Sequence, residues 1–178
     1  MVTIKKINDY WEYIAIHHIS IQHNSSAVGS GNNQVGFVRT DPAEFNEGQK
    51  SELAKTVLQM KPITGSFSVE HAQGDDMMRS SIRIMRQVED TAIKYGVVKN
   101  LMNEIKSICN DILSQMLIDF DQNGETSGWV EITECIDLRN VTYVELLPGA
   151  LGGGWYGMEM TFNLKAQLDL TYNPNNWV

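Results

Sequence analysis

Residues 99–120 read KNLMNEIKSICNDILSQMLIDF, and their apolar positions recur every three or four residues. This spacing places the apolar side chains on one face of a helix and the polar side chains on the other. The stripe consists of Val98, Leu101, Met102, Ile105, Ile108, Cys109, Ile112, Leu113, Met116, Leu117 and Phe120. We therefore predict an amphipathic helix from about Thr91 to Phe120, roughly 45 Å long at 1.5 Å per residue.

A second stretch, residues 158–170 (MEMTFNLKAQLDL), alternates apolar and polar side chains without a break. Successive side chains of a strand point to opposite faces, so the alternation predicts a long strand with one buried face. The two stretches predict an α+β fold, in which a mostly antiparallel sheet packs against the long helix and an N-terminal helix. Residues 1–178 are expected to form a single domain, because a chain of this length buries an ordinary core.

Further helical and strand patterns occupy the N-terminal part of the chain. A helical stripe at the start consists of Ile4, Ile7, Trp11, Ile14 and His18. Residues 24–34 are rich in Asn, Ser and Gly, which predicts a loop. A short strand is predicted over residues 36–39. The Asp41-Pro42 pair is typical of a helix start and predicts a helix that runs to about Leu58.

Several shorter strands are predicted in the rest of the chain. Residues 67–69 and 82–84 alternate apolar and polar side chains, which predicts two strands that flank a loop at residues 74–76 (Gly-Asp-Asp). After the long helix, strands are predicted around residues 130–132 and over residues 141–146. These strands supply the remainder of the sheet.

The charge balance of the chain is acidic. Asp and Glu outnumber Lys and Arg by 22 to 14, which gives a formal net charge of −8. A surface that grips nucleic acid needs Lys and Arg to displace counterions from phosphates, so this balance argues against that class. It agrees with a protein that DNA merely passes through, or with charge that only aids solubility. No stretch approaches the ~20 apolar residues of a membrane span, and we expect a soluble protein.

One candidate metal site appears at the end of the long helix. Asp119, Asp121, Asn123 and Gly124 match the first half of an EF-hand calcium loop, where oxygen ligands occupy alternate positions. The twelfth position, which should be a bidentate Glu, is Val130. A helix end followed by an Asn-Gly turn explains the same residues, and no metal is expected.

Other motifs for chemistry are incomplete. The three histidines near position 20 lack the spacing of a metal site, because His17 and His18 point about 100° apart on a helix. The glycine runs match neither a dinucleotide fingerprint nor a phosphate loop, and no GxSxG nucleophile motif occurs. The two cysteines, Cys109 and Cys135, form no CxxC pair. We expect no catalytic residue and no cofactor, and an enzyme remains an alternative.

Aromatic residues near the C-terminus suggest a protein-binding surface. Gly152, Gly153 and Gly154 form a flexible loop that is expected to carry Trp155 and Tyr156 at its tip. Aromatic side chains at loop tips and tails, here with Trp177, often anchor protein partners. We expect that replacing both loop aromatics by alanine weakens assembly and leaves the monomer folded. The alternative is that these aromatics cover one end of the core helix.

The order of these elements resembles a known class of proteins. It consists of the N-terminal helix (IKKINDYWEYIAIHHISIQH), a Gly/Asn loop, a strand (SSIRIMRQVED), the long helix and the final strand (WYGMEMTFNLKAQLDLTYNPNNW). Together they resemble virion structural proteins of phages and prophages of Bacteroidetes-type bacteria, with a fold similar to tail-terminator and neck proteins of tailed phages. Contractile injection systems use related ring subunits.

The resemblance implies a structural role in the virion, which would assemble in the host bacterial cytoplasm. Such subunits form a homo-oligomeric ring that joins the portal or connector of the head to the tail, and DNA passes through the ring. The class has no catalytic residues, and no membrane is involved. The alternatives are a subunit of a contractile injection system and a small cytosolic protein-binding module, with or without a calcium-stabilised turn.

Overall fold

Within its described residues this protein has two α-helices and a six-stranded sheet, which form the α+β fold that its sequence predicts. The computed structural model describes residues 4–27, 34–39, 53–70, 73–88, 95–121, 129, 132, 136–146 and 154–167. The helices are α1 (Ile4–His17) and α2 (Tyr95–Asp121), and a 3-10 turn covers Ser25–Ala27. The strands are β1 (Val35–Val38), β2 (Leu53–Met60), β3 (Thr64–Glu70), β4 (Gln73–Gln87), β5 (Ile136–Leu146) and β6 (Trp155–Gln167). Neither described helix is long and apolar enough to cross a membrane.

The sheet is mixed and mostly antiparallel. Its strand order is β1-β2-β4-β6-β5, and β3 also pairs with β4. Among the described pairs, β1 with β2 is parallel and the other four pairs are antiparallel. β4 is long enough to pair with β3 along its first half and with β2 along its second half, while β6 follows most of its other side. In this order β1 and β5 lie at opposite edges.

Both helices pack against one face of the sheet. In α2, Ile105, Ile112 and Met116 are fully buried, and on the sheet so are Ile82 and Phe162. Burying one such side chain contributes about 1.5–3 kcal/mol, so this layer is the main source of stability. The predicted helix over Thr91–Phe120 is confirmed from Tyr95 onward, and residues 91–94 lie outside the described residues.

The two helices are antiparallel. The hydroxyl of Tyr10 in α1 donates a 3.0 Å hydrogen bond to Asp119 near the end of α2. His18, just beyond α1, lies beside Asp111, two turns earlier in α2. Trp11 completes the contact with the sheet, because its ring centroid is 5.4 Å from that of Phe162.

The alternating pattern of the last strand is confirmed over its described side chains. Met158, Met160, Phe162 and Leu164 are buried on the helix side, and the residues between them are half-buried. Leu168 and Leu170 lie outside the described residues. The sheet face turned away from the helices is thus less exposed to solvent than the simple alternation predicts.

The predicted helix from Asp41 to Leu58 is wrong in its last part. Leu53–Met60 form strand β2, in which only Lys55 is exposed. The strand lies between β1 and β4, and both of its faces are buried. Because both faces are buried, apolar residues do not alternate along the strand, and their spacing does not separate it from a helix. Residues 41–52 lie outside the described residues.

Two other predictions about loops and strands are also wrong. The predicted loop at residues 74–76 belongs to β4, where Asp75 pairs with Ser68 of β3 and Gln167 of β6. Pairing on both sides overrides the turn preference of Gly and Asp. The predicted strand at residues 130–132 fails at Ile132, whose amide donates to the carbonyl of Trp129 in a helical turn.

Candidate functional site

A cleft of ≈ 350 Å³ lies between the C-terminal end of α1 and the middle of α2. It forms where α1 stops at His17 and the chain turns, with the amides of Ile21 and Gln22 donating to the carbonyl of His18. Its walls combine apolar, aromatic and titratable side chains, as in many sites for small molecules and peptides. The lining residues are Tyr13, Ile14, His17, His18, Ile19, Asp111, Ile112 and Gln115.

His18 is the central polar group of this cleft. Its side chain is 11% exposed, and its Nδ1 accepts a 3.1 Å hydrogen bond from the amide of Ser20. Burial lowers the pKa of His18, although the Asp111 carboxylate opposes this shift. The neutral ring therefore carries its proton on Nε2, because Nδ1 is an acceptor.

The Nε2–H group of His18 has no hydrogen-bond partner among the described residues, although the nitrogen is buried. Oδ2 of Asp111 lies 4.0 Å away, which is beyond hydrogen-bond range. Leaving a buried donor unsatisfied costs about 1–3 kcal/mol. The cleft thus places the exposed carboxylate of Asp111 beside a buried donor that none of the described residues satisfies.

One exposed apolar side chain lies on the rim of the cleft, and others lie elsewhere on the same two helices. Ile19 is 81% exposed and lies on its rim, and Ile16 in the last turn of α1 is 41% exposed. On α2, Ile118 is 47% exposed and shares a helical face with Asp111 and Gln115, since these residues are seven and three positions apart. An exposed large apolar residue beside a cleft, as Ile19 is here, is typical of a contact with a partner.

A second exposed apolar surface lies on β5. Tyr143 and Val144 are 40% and 54% exposed, and Glu145 beside them is also exposed. β5 is the last strand in the sheet order, and no described strand pairs with its outer side. An edge strand presents unpaired backbone N–H and C=O groups to other chains.

The sheet face away from the helices carries a half-buried charge cluster. Nε of Arg83 lies 2.8 Å from Oε2 of Glu159, and Nζ of Lys61 lies 3.1 and 3.3 Å from the two carboxylate oxygens. Burial alone would raise the pKa of Glu159, but hydrogen bonds from Arg83 and Lys61 outweigh it and the net pKa is lowered. These three charged groups pair with one another, so we interpret the cluster as a structural element.

A second groove, of ≈ 410 Å³, lies between the turn after α1 and β2. Its walls are polar, and two of its amides bond each other, with Nδ2 of Asn24 donating to Oε1 of Gln34 at 3.0 Å. Gln22 in its wall has a φ of 50°, in the left-handed region. The self-paired amides make this groove a weaker candidate than the α1–α2 cleft.

The predicted interface residues Trp155 and Tyr156 are not at a loop tip. They are the first residues of β6, and each is only 2% exposed. Trp155 joins the apolar cluster on the far face of the sheet, while Tyr156 belongs to the main core. Replacing them by alanine would therefore report on folding and not on assembly. Of the two interpretations, the one in which these aromatics cover the core fits their burial better than the one in which they bind a partner.

Of the three glycines predicted to belong to the interface, the structure describes only Gly154. Gly154 has a φ of 74°, which favours glycine, and its carbonyl accepts a 3.0 Å hydrogen bond from the amide of Val88. It is thus a turn that leads into β6. Gly152, Gly153 and Trp177 lie outside the described residues, and their interface role stays a prediction.

The calcium-loop alternative disagrees with the structure. Asp119 and Asp121 both belong to α2, so the first positions of the proposed calcium loop continue the helix. Asp119 is 3% exposed, and its two oxygens accept hydrogen bonds from Tyr10 and Gln115. Asn123 and Gly124 lie outside the described residues.

Other titratable groups are also engaged within the fold. Within the described residues, no group of three or more His, Cys, Asp or Glu is placed to hold a metal ion. Cys109 is fully buried on α2, and burial raises the pKa of its thiol to about 12. A thiol in this state behaves as a small hydrophobic side chain, as the helical stripe predicts.

His23 links α1 to β1 and makes stability depend on pH. Its Nδ1 accepts a 3.2 Å hydrogen bond from the amide of Gly36, and burial lowers its pKa, although Glu12 at 3.6 Å opposes this. Because the folded pKa lies below the ordinary value of 6.5, the unfolded chain binds the proton first as pH falls.

We therefore expect the contribution of His23 to the free energy of unfolding to be complete above about pH 7 and to fall as pH decreases through 6.5. Urea unfolding at pH 7.5 and 5.5 measures this change. His23→Gln retains an acceptor but does not titrate. Its free energy of unfolding should therefore fall less between pH 7.5 and 5.5 than that of the wild type. An equal loss would show that His23 contributes nothing to it.

The α1–α2 cleft is absent from the sequence-based predictions. The helical stripe assigns His18 to the core, and the opposite stripe of the long helix assigns Asp111 to solvent. Only the antiparallel packing of the helices brings the two side chains together. The apolar residues Ile16 and Ile19, which lie off the stripe, were the signal that could have indicated a surface there.

No protein-family model matches this sequence, and no curated protein matches it either.

Proposed function

We propose that this protein is a ring-forming structural subunit of a virion, of the neck or tail-terminator class, that joins the head to the tail and lets DNA pass. Its role is structural and not catalytic, and its place is the virion after assembly in the bacterial cytoplasm. The proposal is supported by the order of elements in the sequence and by an α+β fold of the expected kind. Its partners would be further copies of itself and neighbouring portal, connector or tail proteins.

The observation that carries the proposal is the separation of the two exposed apolar surfaces. Ile19 lies in the turn that packs beside β1, since Ile21 contacts Gly36, whereas Tyr143 and Val144 lie on β5 at the opposite edge. Four strand spacings of about 4.8 Å separate these edges, or roughly 19 Å. Two surfaces made of different residues fit head-to-tail contacts, which close into rings, whereas a two-fold dimer needs only one self-complementary surface.

The charge of the chain agrees with passage of DNA. A net charge of −8 gives a surface that repels phosphates on average, so a lumen built from such subunits would not retain DNA. A subunit of a contractile injection system would show the same geometry. The α1–α2 cleft favours a second candidate, a small protein-binding module, which needs no self-association.

Light scattering across a wide range of concentration, with electron microscopy of the largest species, tests the ring. We expect a closed oligomer whose population rises with concentration. Ile19→Asp should weaken association about tenfold or more, because a charge would be buried in the contact. Asn103→Asp, which adds the same charge at an exposed site of α2, should not.

A monomer at every concentration, alone and with the neighbouring virion proteins encoded beside it, would contradict the ring. Genes for a portal or a tail sheath beside this gene would separate the virion role from that of a free binding module.

A further inference from the structure

We propose that the α1–α2 cleft binds the guanidinium group of an arginine side chain that a partner protein presents. The side chains around the cleft supply hydrogen-bond acceptors, one carboxylate and two aromatic rings, and a guanidinium group interacts with all three. The proposal goes beyond the ring, because a partner's arginine would enter the same cleft in a ring subunit or in a free binding module.

Three side chains that line the cleft carry hydrogen-bond acceptors. Asp111, whose side chain is 65% exposed, supplies a carboxylate. Nε2 of Gln115, one turn later in α2, donates a 2.9 Å hydrogen bond to Asp119, which leaves Oε1 of Gln115 as an acceptor. Nδ1 of His17 lies 2.8 Å from the carbonyl of Tyr13 and donates to it, so the neutral ring has an acceptor at Nε2. Both helices therefore contribute acceptors.

The cleft lacks the groups that would bind an anion. None of its described lining residues is Lys or Arg, and among them only Asp111 has a carboxylate. The Nε2–H group of His18 is buried with almost no accessible surface, so a ligand in the cleft does not reach this donor. The net charge of −8 on the whole chain also attracts cations on average. The cleft therefore favours a cation that donates hydrogen bonds.

The walls of the cleft favour arginine over a compact cation. The rings of Tyr13 and His17 lie together, with centroids 4.2 Å apart, and Ile14 and Ile112 add apolar surface. A planar guanidinium group stacks on aromatic rings and directs five donors to acceptors on different sides, whereas an ammonium group is a strongly hydrated point charge. The apolar stem of an arginine would lie against the isoleucines.

The size and the rim of the cleft favour an arginine that belongs to a protein. At ≈ 350 Å³ the cleft lies at the lower end of the range for small-molecule sites, which is about 300–1,000 Å³. Ile19 on the rim is 81% exposed. A free guanidinium compound would leave Ile19 in water, whereas the residues that flank an arginine in a protein would cover it.

NMR of isoleucine methyl groups in the full-length protein tests the site, because Ile14, Ile19 and Ile112 line it. The probes are N-acetyl-arginine methylamide and the matching citrulline compound, in which a neutral urea group replaces the guanidinium. In dilute protein, below the onset of association, we expect the arginine compound to shift these methyl signals with a dissociation constant on the order of 1 mM. The citrulline compound should bind about tenfold more weakly. Equal binding of the two compounds, or no saturable shift, would overturn the proposal.

Asp111→Asn tests the contribution of the carboxylate. It removes one charge from an exposed position and should weaken binding of the arginine compound by about three- to tenfold, with little effect on the citrulline compound. Glu145→Gln removes the same charge from β5, outside the cleft, and should leave the binding of both compounds unchanged. An equal effect of the two substitutions would show that only net charge matters, and the proposed contact would be wrong.

A tripeptide distinguishes a protein partner from a free guanidinium compound. In N-acetyl-Leu-Arg-Leu-amide apolar side chains flank the arginine, and covering Ile19 should make it bind about three- to tenfold more tightly than the capped arginine. Ile19→Ser should abolish this gain without weakening the capped arginine. Ile16→Ser is the control, because Ile16 is an exposed residue of α1 outside the cleft lining. No gain, or a gain that persists in Ile19→Ser, would overturn the assignment to a protein partner.

The outcomes separate this inference from the proposed function. Dilute protein that binds no arginine compound, yet forms rings when it is concentrated, would overturn the site and leave the ring intact. A chain that stays monomeric and binds the arginine compound with the expected dependence on Asp111 would support the site and contradict the ring.

Discussion

Glu159→Gln is expected to lower the free energy of unfolding by about 2–3 kcal/mol. Removing one partner of a fully buried ion pair typically costs 3–5 kcal/mol, because the remaining charge is left without compensation. Here the side chains of Glu159 and Arg83 are 15% and 14% exposed, and Lys61 is 34% exposed. Partial contact with water reduces the cost below that of a fully buried pair.

The substitution keeps the shape of the side chain and removes only its charge. Arg83 would lose the carboxylate that accepts from its Nε at 2.8 Å, and two cations would face each other across a neutral amide. Equilibrium unfolding in urea at pH 7 measures the change. Glu145→Gln on β5 is the matched control, and as an exposed position it should stay within about 0.5 kcal/mol of the wild type.

A double substitution shows whether the loss comes from an uncompensated charge. Replacing both Glu159 and Arg83 by Met removes both charges and leaves apolar side chains of similar length, an exchange that is often neutral. We expect the double variant to be more stable than Glu159→Gln. If it is less stable, the pair itself contributes the energy and the argument from uncompensated charge is wrong.

The same cluster predicts a loss of stability in acid. The folded pKa of Glu159 lies below its ordinary value of 4.5. The contribution of this carboxylate to the free energy of unfolding is therefore complete above about pH 4.5 and is lost as pH falls through the folded pKa. Glu159→Gln should remove this part of the acid dependence and leave the part that arises below about pH 6.5 from His18 and His23.

Gly36→Ala is expected to destabilise the fold by about 2–3 kcal/mol, because overpacking in a tight site typically costs 1–3 kcal/mol. A Cβ at this position would lie 2.8 Å from Cγ2 of Ile21 and 2.9 Å from the carbonyl oxygen of the same residue. It would also lie 3.3 Å from Cα of His23. Two of these three atoms are backbone, so a change of rotamer does not relieve the clash.

The consequence would extend beyond stability. Gly36 donates its amide to His23, and Ile21 belongs to the turn that follows His18, so a displaced β1 would shift the wall of the α1–α2 cleft. Thermal unfolding compared with the wild type measures the main effect. Adding Ile21→Leu removes the Cγ2 clash and keeps the volume of this buried side chain, and we expect it to recover only part of the loss. Full recovery would show that the backbone has room to move.

Local periodicity was sufficient to predict the type of an element where only one of its faces is buried. The stripe of α2 and the alternation of β6 each repeat with the period of their own structure, because in both cases the core covers only one face. The N-terminal helix was predicted for the same reason, and the short strand predicted over residues 36–39 overlaps β1 at residues 36–38. The single domain and the ring stay predictions.

Periodicity failed where the environment of a segment differs from its local preference. Leu53–Met60 are buried on both faces, so their run carries no helix-or-strand signal, and Gly74–Asp76 are held in β4 by strands on both sides. Trp155 and Tyr156 follow a glycine run and look like a loop tip, yet pairing with Gln87 and Arg86 draws them into the sheet.

The sequence by itself determined which residues form the main layer, since apolar spacing along the chain is a local property that burial of one face imposes. The candidate site was decided only by the tertiary structure. His18 and Asp111 lie 93 positions apart in sequence, taking 18 from 111, and meet because α1 packs antiparallel to α2. Likewise, the exposure of β5 depends on its place in the strand order, which hydrogen bonds between distant strands establish and no local pattern records.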